Sequence, residues 1–396
     1  MNRVLRFGLM VLAALGSIFF LTSASANAQS ESVLHSFGSI PGDGAFPYGG
    51  LLFEEGNLYG TTHANPSGDF GNVFEITAEG EYEVLYNFGS QSGDGIGPRP
   101  FGGLAFRGGK LYGTAFEGGA PGGVGTVFDL TLKGKEKVLH TFGIEPGDGV
   151  YPAAGVIFDK EGNLYGTTEE GGAGICEGGC GIVYEVTKSG EEKVLYSFGG
   201  QYQDAVFPTA NLTFDKAGNL YGTTDGGGVY AGGTVFELSA AGVEKVLYSF
   251  NRQSGDGNYP ASGVVFDKKG NIYGTTFYGG IYGQGTVFEL SSSGEEKLLY
   301  SFGGQPSDGI NAYGSVVFDK EGNLYGTTFA GGIYGQGTAF ELSPSGKEKL
   351  LYTFGSQAGD GNTPLGGLVF DTAGNLYGVT AYGGVYGFGT VFEITP

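Results

Sequence analysis

Four tyrosines, Tyr230, Tyr282, Tyr334 and Tyr386, follow a Gly-Gly pair at one common offset, and Phe277 and Phe329 recur at another. Aromatic faces beside flexible glycine, with aspartates from neighbouring loops, suit the stacking and hydrogen bonding of sugar rings. Rings that recur with a fixed period also serve as packing wedges between structural units, which is their commoner use. The two roles make opposite demands on exposure.

A second series is acidic. Asp43, Asp94, Asp148, Asp204, Asp256, Asp308 and Asp360 each stand six residues after a Phe, six of them before Gly and one before Ala205. Such an aspartate can bond its own backbone in a turn while Gly supplies a positive φ. Seven carboxylates could instead collect a cation such as Ca²⁺, which needs several oxygens per ion, but one carboxylate per repeat is dilute for that purpose. The turn is the expected role, and no metal or cofactor is assigned. A further acidic series, Glu75, Asp129, Glu185, Glu237, Glu289, Glu341 and Glu393, faces Lys137, Lys193, Lys245, Lys297 and Lys349 in five copies, as cross-strand charge pairs do.

Of the three histidines, His35 and His140 replace a tyrosine of the repeat and read as packing residues, while His63 lies in a long loop. No catalytic residue is assigned. If the chain is a hydrolase or lyase, His63 with an aspartate of a neighbouring loop is the best available pair. Cys176 and Cys180 are the only cysteines and sit in one loop insertion. In an exported chain they should form a disulfide, since zinc would require two further ligands.

These residues are positioned by a repeat. Asn-Leu-Tyr-Gly-Thr-Thr recurs seven times with small variations, its tyrosines at 59, 112, 165, 221, 273, 325 and 377, so successive gaps are 53, 53, 56, 52, 52 and 52. A fixed period of this size means one supersecondary unit repeated in space. Within residues 263–302, apolar runs alternate with turns: Gly263–Phe266, Ile272–Thr276, Thr286–Leu290 and Lys297–Phe302 read as four strands in meander order, a propeller blade. The chain opens on a spare fourth strand, residues 32–37, and finishes on a third strand, residues 390–394. Their pairing would close a ring and hide two edges. The expected fold is all-β, a seven-bladed β-propeller of four-stranded antiparallel blades in one domain over 29–396, closed by the N-terminal strand. Tight hairpins then share one face and long loops the other, where function is expected. The innermost strands begin with small residues such as Gly49-Gly50, Ser262-Gly263 and Gly366-Gly367, which can let seven strands converge but cannot act as acid, base or strong ligand.

NLYGTT, the following Gly-Gly, GTVFEL and LYSFGG with its later Asp-Gly together resemble the GloVer tandem repeat of bacterial exported proteins, across the whole of residues 29–396. The resemblance implies export and a propeller-like repeat and carries no particular activity with it. Members are often described with sorting anchors, and this chain ends at Pro396 without such a segment. A weaker similarity is to NHL-type blades. The Gly-Gly also resembles kelch repeats, although the chain has no Trp. An axial metal in the manner of propeller lactonases is disfavoured by the small residues at the strand starts.

Residues 1–28 have the form of a secretory signal: Arg3 and Arg6, an apolar run from Phe7 to Leu21, and Ala26-Asn27-Ala28 for cleavage. Cleavage would take the formal charge from -21 to -23, because two arginines leave. A body this acidic repels phosphate backbones and anionic lipid. Nucleic acid and membrane insertion are not expected, and the chain should be a secreted or periplasmic monomer. The function expected is a non-catalytic scaffold that offers its loop face to a glycan or a protein; the alternative is a hydrolase or lyase acting on a polysaccharide or lactone through that face.

Overall fold

A computed structural model describes residues 30–67, 70–97, 103–253 and 255–395. The signal-peptide expectation for residues 1–28 lies outside them. Each repeat folds as a four-stranded antiparallel sheet, and seven sheets complete a ring. Blade 5 is typical, with strands Val265–Phe266, Ile272–Thr276, Thr286–Leu290 and Glu296–Ser301. Blades 1 to 6 take all four strands from one repeat. Blade 7 takes Val369–Phe370, Leu376–Gly383 and Thr390–Thr395 from the chain's end and Ser30–Ser36 from its start. Ser30–Ser36 runs antiparallel to Thr390–Thr395, with Val33 opposite Phe392 and His35 opposite Val391, so the expected closure is present.

The repeated motif has a physical reading at each position. In the first hairpin of blade 5, Asp267 Oδ1 accepts the backbone N–H of Asn271 at 2.9 Å, while Oδ2 accepts the Asn271 side-chain amide and the Tyr273 hydroxyl. Asp, Asn and Tyr therefore lock one turn. Gly274 follows because a Cβ there would lie 2.7 Å from the Phe288 ring. Thr275 reaches Gly314 O in blade 6, and Thr276 bonds Thr286 across to the third strand at 2.8 Å. One threonine joins blades and the other joins strands.

The core lies between blades. The Phe after each fourth strand meets an aromatic ring on the third strand of the next blade at all seven interfaces, as in Phe250–Phe288 at 5.1 Å and Phe37–Phe74 at 5.2 Å. Blade 3 contributes Tyr184 instead of Phe, against Phe142. Such edge-on pairs add about 0.5–1.5 kcal/mol each beyond the area they bury. Near the axis the small residues are in close backbone approach: a Cβ on Gly314 would fall 2.7 Å from Gly366 O, and one on Gly366 2.8 Å from Gly49 O. The strand pairs Glu289–Lys297 and Glu341–Lys349 are in ionic contact at 3.5 and 3.3 Å. Asp129 instead takes Lys110 at 2.9 Å, the shorter reach along the second strand, rather than Lys137 opposite it.

Candidate functional site

Both kinds of long connection lie on one face, and they pair with each other. In blade 5 Gly257–Asn258, entering the blade, pairs with Tyr278–Gly279, which leaves its second strand. The same two-residue ladder recurs in blades 2, 3, 4 and 6. One residue later the entering loop turns into the left-handed region. Phe46, Gly97, Tyr151, Phe207, Tyr259, Asn311 and Thr363 all have φ between 56° and 65°. Bulky residues avoid this region, and here two hydrogen bonds hold them: Tyr259 N–H donates to Gly232 O of the preceding blade, and its carbonyl accepts from Phe277 N–H, both at 2.9 Å.

The residue bonded to that carbonyl differs from blade to blade. It is His63, Phe116, Glu169, Asp225, Phe277 and Phe329 in blades 1 to 6. These side chains border the inner mouth of the loop face. Phe277 and Phe329 are 5.8 Å apart in a half-buried aromatic group that includes Tyr313, 5.6 Å from Phe277, and Tyr278. His63 stacks on Tyr48 at 5.3 Å. Asp225 accepts the Thr209 hydroxyl at 2.9 Å. Burial pushes its carboxyl up to about 7; the Thr209 and Tyr259 hydroxyls oppose the rise and the nearby Glu169 charge adds to it. Sequence reasoning missed Asp225 and Glu169. The signal was present: the position after Gly-Thr-Thr changes residue type in a motif that is otherwise nearly invariant.

The four arc tyrosines lie elsewhere, at the outer rim. Tyr282 lies over the Gly303-Gly304 turn that follows the outermost strand of its own blade, with a ring carbon 2.8 Å from where a Gly304 Cβ would be. Tyr230, Tyr282, Tyr334 and Tyr386 are 50–53% exposed, so they do not wedge between blades. Each is preceded by an exposed aliphatic residue: Val229, Ile281, Ile333 or Val385. Tyr278 and Tyr382 are exposed as well and extend the apolar rim inward. The structure thus divides the six expected binding residues into an inner Phe pair and an outer Tyr arc, both confined to blades 4 to 7.

The seven loop aspartates act as turn locks. Asp308 Oδ2 accepts Gly303 N–H at 2.8 Å, Gly304 N–H at 2.9 Å and the Tyr300 hydroxyl at 3.1 Å. Equivalent tyrosines reach Asp94, Asp204, Asp256 and Asp360. At the two remaining positions the partner is a histidine, His35 to Asp43 at 3.1 Å and His140 to Asp148 at 3.5 Å. Six of the locks also face a glutamate on the next blade's outer strand, Asp148 facing Glu192 among them. Burial, then the charge of the facing aspartate, pushes Glu31, Glu136, Glu244, Glu296 and Glu348 up to about 7.

Cys176 and Cys180 form a disulfide in the blade 3 loop, with Cys180 fully buried beside Phe198 and Ile175 fully in solvent. The space near the axis bordered by Asn211, Ser262 and Tyr313 is about 10 Å³, too small for a ligand. A larger cleft of about 620 Å³ opens on the hairpin face between the turns of blades 6 and 7. A similar one of about 390 Å³ recurs between blades 5 and 6, as expected of grooves between successive copies of one turn.

No curated protein matches the chain. Among solved structures, the chain is similar to a puromycin-hydrolyzing peptidase of Mycobacterium tuberculosis at 12% identity and a TM-score of 0.52, over 84% of this chain and 49% of that one. It is also similar to a luciferin-regenerating enzyme, at 14% identity and a TM-score of 0.44 over 89% and 92% of the two chains. The first likeness supports the propeller fold and nothing further. The Gloeobacter/Verrucomicrobia repeat matches residues 94–276 and 215–396, which together run over most of the ring, and the chain belongs to that repeat family.

Proposed function

We propose that this chain is an exported binding propeller whose loop face holds an extended neutral glycan along blades 4 to 7. The observation that carries the reading is the half-exposed tyrosine that returns with an exposed aliphatic neighbour in four consecutive blades. Soluble proteins rarely leave a repeated apolar strip in water, and such strips mark interaction surfaces. A polymer with its own repeat matches a surface with a repeat, and sugar rings stack on tyrosine faces. The net charge of -21 disfavours anionic polymers. The disulfide accords with an oxidising compartment outside the cytoplasm.

The test is retention of the full chain on insoluble cellulose, chitin, xylan and α-glucan, repeated with Tyr282→Ala/Tyr334→Ala. Retention of the parent on one of these and a loss of at least about tenfold in the variant, at unchanged melting temperature, is the expected result; loss of a stacked sugar contact is worth about 1.4 kcal/mol or more. Equal retention of parent and variant removes the arc as the site.

One observation favours a second reading, a glycan- or lactone-acting hydrolase or lyase. Asp225 at the inner mouth has its carboxyl near 7 beside Glu169, a pairing suited to acid and base roles. Under that reading the same polysaccharides release reducing ends in the presence of the chain, and Asp225→Asn stops the release without loosening retention.

A further inference from the structure

The interface between blades 2 and 3 differs from the other six. In the common arrangement a tyrosine hydroxyl satisfies the loop aspartate, as Tyr248 does for Asp256 at 3.1 Å. Between blades 7 and 1 the tyrosine is His35, but Tyr82 replaces the facing glutamate. His35 is satisfied there by Asp43 at 3.1 Å and stacks on Tyr82 at 3.6 Å. Only between blades 2 and 3 do a histidine, the loop aspartate and the facing glutamate come together, as His140, Asp148 and Glu192. Their ligand atoms lie within 4.8 Å of one another.

Among the described residues, His140 Nε2, Asp148 Oδ1 and Glu192 Oε1 have no hydrogen-bond partner, although all three atoms are buried. The Asp148 side chain is 2% exposed, and its Oδ1 stands 3.5 Å from the imidazole nitrogen in ionic contact. Its other oxygen accepts Gly143 N–H at 2.8 Å, which fixes the carboxylate as a supporting hydrogen bond fixes a metal ligand. Tyr184, the tyrosine that replaces the core Phe of the other blades, has a buried hydroxyl without a hydrogen-bond partner among the described residues. Buried polar atoms left unmatched are costly; the Asp Oδ1 and Glu Oε1 atoms are unmatched at Asp94–Glu136 and Asp360–Glu31 as well, and the feature particular to this interface is the imidazole nitrogen that converges on them.

We propose that His140, Asp148 and Glu192 bind one divalent transition-metal ion that joins blade 2 to blade 3. One imidazole and two carboxylates suit zinc, cobalt or nickel better than calcium or magnesium, which take oxygen ligands. Bonds of about 2.0–2.2 Å require ligand atoms about 3.4 Å apart, within reach of small side-chain rotations from the observed spacing.

The test uses the untagged full chain, stripped with EDTA, dialysed and titrated with Co²⁺ at pH 7. One equivalent with visible absorption bands, displaced by Zn²⁺, is expected. His140→Tyr, which installs the residue that five other interfaces carry, should fold like the parent and lose the cobalt equivalent. Glu192→Gln should weaken binding beyond the roughly 10- to 100-fold typical of supporting residues. Tyr196→His, beside Asp204 and Glu244, should add a second equivalent. Absence of a cobalt equivalent in the parent, its persistence in His140→Tyr, or failure of Tyr196→His to add one would each overturn the proposal.

Discussion

Blades 4 to 7 and blades 1 to 3 share one scaffold and carry different surfaces. Both sectors have the inter-blade aromatic pair and the aspartate lock, as seen alike in Phe88–Phe128 and Phe354–Phe392 and in Asp94 and Asp360, whereas the Asp-Asn-Tyr hairpin runs from blade 3 to blade 7. Among the described residues, only blades 4 to 7 set an exposed tyrosine just after the Gly-Gly of the long loop. Blades 1 to 3 put other chemistry at their long loops: His63 stacked on Tyr48, Glu169 beside Asp225, and a disulfide. What recurs around the whole ring builds it, and what recurs in one sector is available for recognition.

The comparison breaks most completely if the ring opens. Deleting residues 30–37 removes the strand that covers Thr390–Thr395, along with fully buried Phe37, whose loss alone should cost about 3–5 kcal/mol. The expected outcome is aggregation or a melting temperature lower by well over ten degrees, followed by calorimetry; a change of a few degrees would contradict closure by this strand.

The next effect should be felt more in blades 4 to 7, which hold four of the five glutamates concerned. Glu31, Glu136, Glu244, Glu296 and Glu348 titrate near 7 in the fold against an ordinary 4.5, so the folded state holds more protons between those values. Stability therefore falls as pH rises from about 4.5 through 7. Discounted for partial exposure, each contributes about 1 kcal/mol, or about 5 kcal/mol for the five. The hairpin aspartates set the acid limit. Burial would raise Asp159, Asp215, Asp267, Asp319 and Asp371, but donors from Asn and backbone N–H outweigh it and hold them below 3.8. Stability is lost as pH falls through that range, so melting temperature should peak at about pH 4–5. A peak above pH 7 would contradict the buried glutamates.

Smaller effects sharpen the contrast. Cys176→Ser/Cys180→Ser should cost about 2 kcal/mol or less, because the closed loop is short, and hydrogen exchange should rise in the blade 3 loop alone. Faster exchange in blades 4 to 7 would show that the sectors are coupled. Tyr282→Ala/Tyr334→Ala should change stability by less than about 0.5 kcal/mol per site, as exposed substitutions do. A loss of several kcal/mol would make them wedges after all.

The sequence made the fold legible because the evidence for it was repeated seven times and the chain's ends complemented each other. The four strands of blade 5 were placed to within two residues. The arc was legible as residues but not as exposure, since a period of 52 is equally compatible with a ring lying over Gly304 and one wedged between blades. The Asp–Tyr lock was half visible: turn chemistry is local, whereas Tyr300 lies eight residues from Asp308 and meets it only because the outer strand turns back. Asp225 was legible as a varying position but not as a buried carboxylate, and the cluster at His140 was not legible, because both burial and cluster depend on contacts between blades about fifty residues apart in sequence.

The central claim is that one sector of the loop face does the binding. The direct measurement is hydrogen exchange of the full chain with and without the polysaccharide that retains it. Protection is expected in residues 227–233, 279–285, 331–337 and 383–389, with the loops of blades 1 and 2 and the hairpin face unchanged. Protection confined to the loops of blades 1 to 3, or to the hairpin turns around Asp319 and Asp371, would contradict it.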